Sequence, residues 1–398
     1  MINAYLRADG RKGIRNTIAV AYLVECAHHV SREIVYPYRD QGVNLIGFPG
    51  CFPNAYAQKM MERLCTHPNV GAVLLVSLGC ECFNKGSLME AIRKSGRPVK
   101  LVGIQDTGGT RKSIAEGKAW VEQTMKQLEN TPRAEMSVDE LVIGTICGGS
   151  DATSGLTANP AMGRAFDFLV EQNATCIFEE TGELIGMEHW MAKRAENPAL
   201  GEEIVKTVAK AAKYYDAFGH ASIGPGNADG GLTTIEEKSL GAYAKSGQST
   251  ISGIIKPGDV PLRGGLYLLD VVPDGAPKFG FPNISDNAEI AELMACGCHL
   301  NLFSTGRGSV VGSAISPVIK VCANPDTYKR MSDDMDVDAG RILEGRATLD
   351  EVGREIHDLI LRVANGEKTK SEDLGHQEFI LTYKTFEPIG PACMPSAA

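Results

Sequence analysis

The sequence predicts an α/β protein with two Rossmann-like parallel-sheet domains, residues 1–135 and 136–398. Three observations carry this reading. Strand-like and helix-like segments alternate along the chain, as a parallel sheet with crossover helices requires. Several strand segments are continuously apolar, such as Gly71-Ala72-Val73-Leu74-Leu75-Val76, the pattern of strands covered on both faces. Strand after strand ends in a polar, glycine-rich turn, and open parallel sheets bind ligands at that edge.

Apolar runs over 17–24, 43–48, 70–77 and 99–104 predict the first strands. Amphipathic stretches over 26–35, 55–65, 87–94 and 109–128 predict the helices that follow them. Residues 129–138 are polar and contain Pro132, which predicts the domain boundary. Beyond it, 141–145 reads as a strand running into Cys147-Gly148-Gly149-Ser150-Asp151. A helix over 160–172 has Asn159 as its expected cap, and 174–178 is the next strand. The helix 198–218 takes Asn197 as cap and Pro198 at its first position. A tight, irregular glycine-rich loop then leads into a helix over 235–245. Strands over 265–272, 299–303 and 318–321, with helices over 287–295 and 348–365, follow. The tail 386–398 is expected to be irregular.

Composition narrows the function. A net charge of −9 argues against a nucleic-acid partner. No apolar run approaches the roughly 18 residues that span a bilayer. The opening Met1-Ile2-Asn3-Ala4-Tyr5-Leu6-Arg7 lacks a signal peptide's apolar core. A cytoplasmic location is expected, and in that compartment the 11 cysteines are thiols, not a disulfide framework.

The most informative segment runs Gly224-Pro225-Gly226-Asn227-Ala228-Asp229-Gly230-Gly231-Leu232-Thr233-Thr234-Ile235-Glu236-Glu237-Lys238. Glycine backbone lets a ligand approach closely, and a helix start offers unpaired N–H groups to an anion. Thr233 with Glu236, or Thr234 with Glu237, makes a capping box, so one glutamate is expected to hold the helix end. Two glutamates beside Lys238 exceed what a cap needs and supply an acid and a base for proton transfer. Arg307, in Thr305-Gly306-Arg307-Gly308-Ser309, suits bidentate grip of a carboxylate. Cys51, Cys80 and Cys147 each follow a strand, and three converging thiolates suit iron or an iron–sulfur cluster. His299 reads as a satisfied core histidine ahead of a metal ligand, and the aspartates of 333–338 as a solvated turn ahead of a cation site. The basic run Arg7-Ala8-Asp9-Gly10-Arg11-Lys12-Gly13-Ile14-Arg15 suggests anion binding or subunit docking. A nicotinamide-dependent redox enzyme is disfavoured, because no Gly-x-Gly-x-x-Gly turn follows the first strand.

Several motifs combine. They are Asp9-Gly10-Arg11 through Arg15-Asn16, Cys147 through Asp151 with Ser154-Gly155 and Ala158-Asn159-Pro160, and Pro225-Gly226-Asn227 with 230–241. To these add Lys245-Ser246-Gly247, 303–308, Pro317-Val318-Ile319-Lys320 and 336–340. Together they resemble the altronate/galactarate dehydratase family over nearly the whole chain. The resemblance implies a hydro-lyase that removes water from a sugar acid, an altronate- or galactarate-like 2,3-dihydroxy acid, to give a 2-keto-3-deoxy acid. It also implies Fe2+ or another divalent cation. The related sulfolactate sulfo-lyase large subunit eliminates sulfite instead, and is the alternative; a non-catalytic acid-binding subunit is a third reading. Fused family members carry a small SAF domain ahead of the Asp9-Gly10-Arg11 element, so a separate small SAF-domain subunit is an expected partner, as is a homo-oligomer. On this resemblance Glu236, Glu237, Lys238 and Arg307 are the expected catalytic residues. Arg11, Arg15, Asn16, Asp151, Asn227, Lys245, Thr305 and Lys320 are expected to bind substrate, and Cys51, Cys80 and Cys147 to bind metal.

Overall fold

A computed structural model describes residues 1–217, 223–274, 285–382 and 384. The expected tail 386–398, and the last residue of the expected helix 198–218, lie outside the described residues. The strands of the first part are β1 (Ile2–Leu6), β2 (Lys12–Gly13), β3 (Thr17–Tyr22), β4 (Val43–Gly47), β5 (Val70–Ser77) and β6 (Val99–Gly103). Those of the second are β7 (Arg133–Met136), β8 (Val142–Cys147), β9 (Thr175–Phe178), β10 (Ile251–Ile255), β11 (Gly265–Leu269), β12 (Leu300–Thr305), β13 (Val318–Cys322) and β14 (Val337–Asp338).

The fold is α/β with two parallel sheets. One has four strands in the order β4-β3-β5-β6, and the other has seven in the order β10-β11-β9-β8-β12-β13-β14. Their residues alternate between cores, which stacks the molecule in layers. Ile18 and Val20 of β3 face a cluster with Val30 and Ile34 of the helix His28–Val35 and Val121 of the helix Thr110–Leu128. Ala19 and Ala21 face the opposite way, into a core built from helices Ala55–Cys65, Lys85–Lys94 and Asp286–Ala295. That same core takes Ile146 of β8, Ile177 of β9 and Phe303 of β12, so one helical layer is shared by both sheets. The far face of the larger sheet, with Ile143, Phe178 and Leu302, is covered by helices Ala158–Glu171, Pro198–Asp216 and Leu349–Ala364. Continuous apolar strands are what such double-sided burial demands.

Several expected elements are corrected. The polar stretch 129–138 contains a strand, β7, which pairs antiparallel with β1; β1 also pairs with β2, and the three form a small third sheet. Only Met136 of β7 is buried, so its sequence reads as a loop. The edge strand β10 is interrupted by Gly253 where its register shifts, which hides it in the sequence. Asn159 caps nothing: the helix starts at Ala158, and the Asn159 amide instead donates to Gly241 O (3.0 Å) and accepts from Ser304 Oγ (2.5 Å). The glycine-rich loop holds a short helix, Pro225–Asp229. The 333–338 run is not all solvated, since Asp336 is half-buried and accepts from the Lys320 and Lys370 N–H groups at 2.7 and 2.9 Å. His299 is a satisfied core residue: its Nδ1 accepts from Val142 N–H (3.0 Å) and its Nε2 faces Lys12 O (2.9 Å).

Candidate active site

In the larger sheet the chain winds from β8 to β9 on one side, and β12 adds on the other side of β8. The carboxyl ends of β8 and β12 therefore flank the point where the winding reverses, and α/β sheets form ligand crevices there. The two turns at this edge are fastened together. Gly148 N–H donates to Ser304 O (3.0 Å), and the N–H groups of Gly306 and Arg307 donate to Gly149 O (3.2 and 2.9 Å). Glycine is required by contact at two of these positions. A Cβ on Gly148 would lie 2.1 Å from Asp286 Oδ2, and one on Gly306 would lie 2.0 Å from Asp151 Oδ1.

Beside this edge lies a cavity of ≈ 240 Å³ whose lining includes Cys147, Asp151, Asn159, Glu183, Glu237 and Lys238. Its charged groups form a chain. Lys238 Nζ is 2.6 Å from Glu183 Oε1. The Cys147 thiol, at the end of β8, donates to Glu183 Oε2 (3.1 Å). Lys245 Nζ stands 3.4 Å from that sulfur and is ion-paired with Glu180, whose Oε2 accepts the Cys147 N–H at 2.9 Å. Cys147, Glu180 and Lys245 are all buried.

This packing sets the protonation states. Burial lowers the Lys238 pKa, but the adjacent Glu183 charge more than offsets this, and the net shift is upward. Lys238 is thus an ammonium group at neutral pH. Burial pushes the Cys147 thiol up to about 12, with the Glu183 charge adding to it. Burial, then the charge of Glu183, raises Asp286 to about 6.

The structure gathers some of the expected residues and separates others. Lys238, Glu237, Asp151 and Cys147 meet at the cavity. Glu237 is the helix cap: its Oε2 accepts from the Thr233 and Thr234 N–H groups (2.8 and 3.2 Å). Glu236 is exposed and is not among the cavity's lining residues. Asp151 accepts from Thr153 Oγ1 (2.6 Å) and Asn324 Nδ2 (3.0 Å), which pins the turn. Exposed Arg307 donates to Gly226 O, and Asn227 donates to Ser150 O (3.3 Å), so both tie the 224–231 segment to the sheet edge. Thr305 Oγ1 accepts the Gly308 N–H (3.0 Å).

Arg11 pairs with Asp9 (2.6 Å), Arg15 with Glu372 (2.7 Å), and Asn16 Oδ1 accepts from Arg7 (2.6 Å). Arg15 and Asn16 line a different cleft, of ≈ 570 Å³. Lys320 is buried 3.4 Å from Val311 O and also lies outside the cavity lining. Cys51 and Cys80 are exposed and follow strands of the smaller sheet.

Two residues that the sequence reading left out, Glu180 and Glu183, are central. Their signal was present in Glu179-Glu180-Thr181-Gly182-Glu183, a dense carboxylate turn directly after a strand. Two groups among the described residues have ligand atoms within 4.8 Å of one another and so could hold a metal ion: Cys147, Glu180 and Glu183, and Glu179, Glu180 and Glu289. Neither includes Cys51 or Cys80. In the first group the ammonium groups of Lys245 and Lys238 already neutralise both carboxylates, so it does not fit a further cation.

Residues 138–386 match the family described as D-galactarate/altronate dehydratase, C-terminal, and residues 4–129 match D-galactarate dehydratase/altronate hydrolase, second domain. The chain belongs to this dehydratase family. It is 33% identical to the (2R)-sulfolactate sulfo-lyase subunit beta of Chromohalobacter salexigens, over 95% of this chain and 96% of that subunit. It is 30% identical to the altronate dehydratase of Escherichia coli K12, over 93% of this chain and 75% of the relative. The galactarate dehydratase (L-threo-forming) of the same organism is 32% identical, over 93% of this chain and 73% of the relative. Such relatives are all lyases, and this family member is a lyase. Among the described residues no helix is long and apolar enough to cross a membrane.

Proposed function

We propose that the protein eliminates water from a small sugar acid of the altronate or galactarate type, using Glu183 and Lys238 as its proton-transfer pair. The supporting observation is that these two groups meet at 2.6 Å in a cavity at the winding reversal, beside a thiol that burial keeps protonated. The Glu183 carboxylate accepts the C2 proton. The electron pair left on C2 moves toward C3, and the C3–oxygen bond breaks. The Lys238 ammonium gives its proton to the departing hydroxide, forming water and an enol that tautomerises to the 2-keto-3-deoxy acid. A base and an acid in one partly desolvated pair supply both proton steps without bulk water.

Arg307 and the N–H groups of the 224–231 segment hold the substrate carboxylate at the rim. Asp151 and Asn227 act by fixing that rim. Lys245 holds Glu180 and Cys147 in place behind the pair. A divalent cation, implied by the family resemblance, would find its oxygen donors at Glu179, Glu180 and Glu289, where it would supply positive charge behind the pocket. An iron–sulfur cluster on Cys51, Cys80 and Cys147 has no assembled ligand set among the described residues.

A second reading is sulfite release from a sulfolactate-type acid with a separate small subunit. The 33% identity to a sulfo-lyase subunit beta along 96% of its length supports it. Both reactions begin with removal of the C2 proton and differ in what leaves C3. The test is turnover of altronate, galactarate and sulfolactate, with and without an added small SAF-domain subunit and with product and sulfite both measured. A 2-keto-3-deoxy acid is the expected product; sulfite favours the second reading, and no turnover of any acid under either condition leaves only an acid-binding role.

A further inference from the structure

We propose that Cys51 and Cys82 are a redox-active thiol pair, a modification site that a small disulfide converts into one intramolecular bridge at the carboxyl edge of the smaller parallel sheet. Cysteine is among the most buried residue types, and six of the ten cysteines among the described residues are buried. The four exposed ones share one place. Cys26 follows β3, Cys51 follows β4, and Cys80 and Cys82 follow β5. In the order β4-β3-β5-β6 the chain winds from β3 to β4 on one side, and β5 adds on the other side of β3. The winding therefore reverses at β3, and α/β sheets form ligand crevices at such an edge. Here the edge presents thiols.

The turns at this edge are fastened to one another. Glu25 N–H donates to Pro49 O (3.1 Å), and Cys82 N–H donates to Cys51 O (2.9 Å). A backbone hydrogen bond of this kind puts the two Cα atoms roughly 5–6 Å apart, inside the span of about 4.4–6.8 Å that a disulfide bridges. Glu81 holds the second turn in place. It is buried, and its carboxylate accepts from Ser77 Oγ, from Gly79 N–H (2.9 Å) and from Lys85 Nζ (3.4 Å). The residues on either side of it, Cys80 and Cys82, are exposed. Cys82 is the partner because it is the residue bonded directly to Cys51.

The reaction is thiol–disulfide exchange with a small disulfide such as that of glutathione. One cysteine thiolate attacks a sulfur of the small disulfide, which forms a mixed disulfide and releases one small thiol. The second thiolate attacks the protein sulfur of that mixed disulfide, which forms the Cys51–Cys82 bond and releases the second small thiol. The two cysteines are oxidised by two electrons, and their two protons end on the small thiols. Asn54 caps the helix Ala55–Cys65 and Asn84 caps the helix Lys85–Lys94, each a short step beyond its cysteine. Both helices belong to the layer shared by the two sheets, so the bridge joins the two turns from which these helices start.

The test reads covalent state and not turnover, so its outcome is separate from that of the proposed elimination. The full chain is reduced, equilibrated with glutathione disulfide, alkylated with iodoacetamide and mapped by peptide mass spectrometry. Wild type is expected to yield a linked Cys51–Cys82 peptide, lighter by two hydrogens than the two thiol peptides together, which excess reduced glutathione converts back. Cys51→Ser and Cys82→Ser are each expected to lose the bridge, and Cys26→Ser to keep it. The wild-type map stands without any variant, so a folding defect in one of them does not decide the result. Four results would each overturn the proposal: no linked peptide at saturating glutathione disulfide, glutathione adducts alone on Cys51 and Cys82, a bridge through Cys26 or Cys80, or a bridge between two chains.

Discussion

Lys245→Met isolates the electrostatic frame behind the pocket. Lys245 is 0% and Glu180 5% exposed, and the two form an ion pair next to the Cys147 sulfur. Deleting the ammonium leaves a buried carboxylate without its partner, which costs about 3–5 kcal/mol, whereas replacing both members of such a pair by neutral groups of similar size is often near neutral. Methionine keeps the length of the lysine stem. Glutamine at 180 retains a carbonyl oxygen for the Cys147 N–H, which now bonds Glu180 at 2.9 Å. The single variant Lys245→Met is therefore expected to lose about 3–5 kcal/mol, and Glu180→Gln/Lys245→Met to recover to within about 1–2 kcal/mol of wild type. The assay is urea denaturation of the three chains in chelator, compared by midpoint. A Lys245→Met loss below about 1 kcal/mol, or a double variant no better than the single, would refute the claim that this pair compensates a buried charge.

Three further outcomes follow from the same geometry. Gly306→Ala places a Cβ 2.0 Å from an Asp151 oxygen that Thr153 holds in place, so a loss of about 1–3 kcal/mol is expected in denaturation, together with reduced activity. Burial lowers His299 to about 4 from 6.5, so between these values the unfolded chain binds the extra proton. The His299 contribution is complete above pH 6.5 and is lost as pH falls toward 4, by up to about 3 kcal/mol. The wild-type stability minus that of His299→Gln should fall accordingly, and a flat difference contradicts this. Iodoacetamide at neutral pH should label exposed Cys26, Cys51, Cys80 and Cys82 well before buried Cys147, with mass spectrometry as the readout.

Local signals in the sequence were legible, and long-range meetings were not. The capping box at Thr234 and Glu237, the cap at Asn197 and the apolar strand β5 follow from neighbours in the chain, and the structure shows each of them. The glycine-rich turns mark a sheet edge where close approach leaves no room for a side chain at Gly148 and Gly306. Which turns converge depends on strand order. Lys245 reaches Cys147 across 98 residues and Glu180 across 65, separations that no local pattern encodes. Cys51 and Cys80 each follow a strand as Cys147 does, yet those strands belong to the other parallel sheet. The basic arm offered charge without showing its partner: Arg15 answers Glu372, brought beside it by the fold. The carboxylate-rich turn that holds Glu183 is visible in the sequence, but its partner Lys238, 2.6 Å away, is supplied only by the fold.

The most direct test of the proton-transfer pair is exchange of the substrate C2 hydrogen in D2O, followed by NMR on whichever of altronate, galactarate or sulfolactate wild type turns over. This readout reports the first step whether water or sulfite then leaves. Glu183→Gln is expected to slow C2 exchange and turnover together by about 10²–10⁴-fold. Lys238→Met is expected to impair turnover more than exchange, because its proton goes to the leaving group. Wild-type exchange and turnover in Glu183→Gln would contradict the assignment.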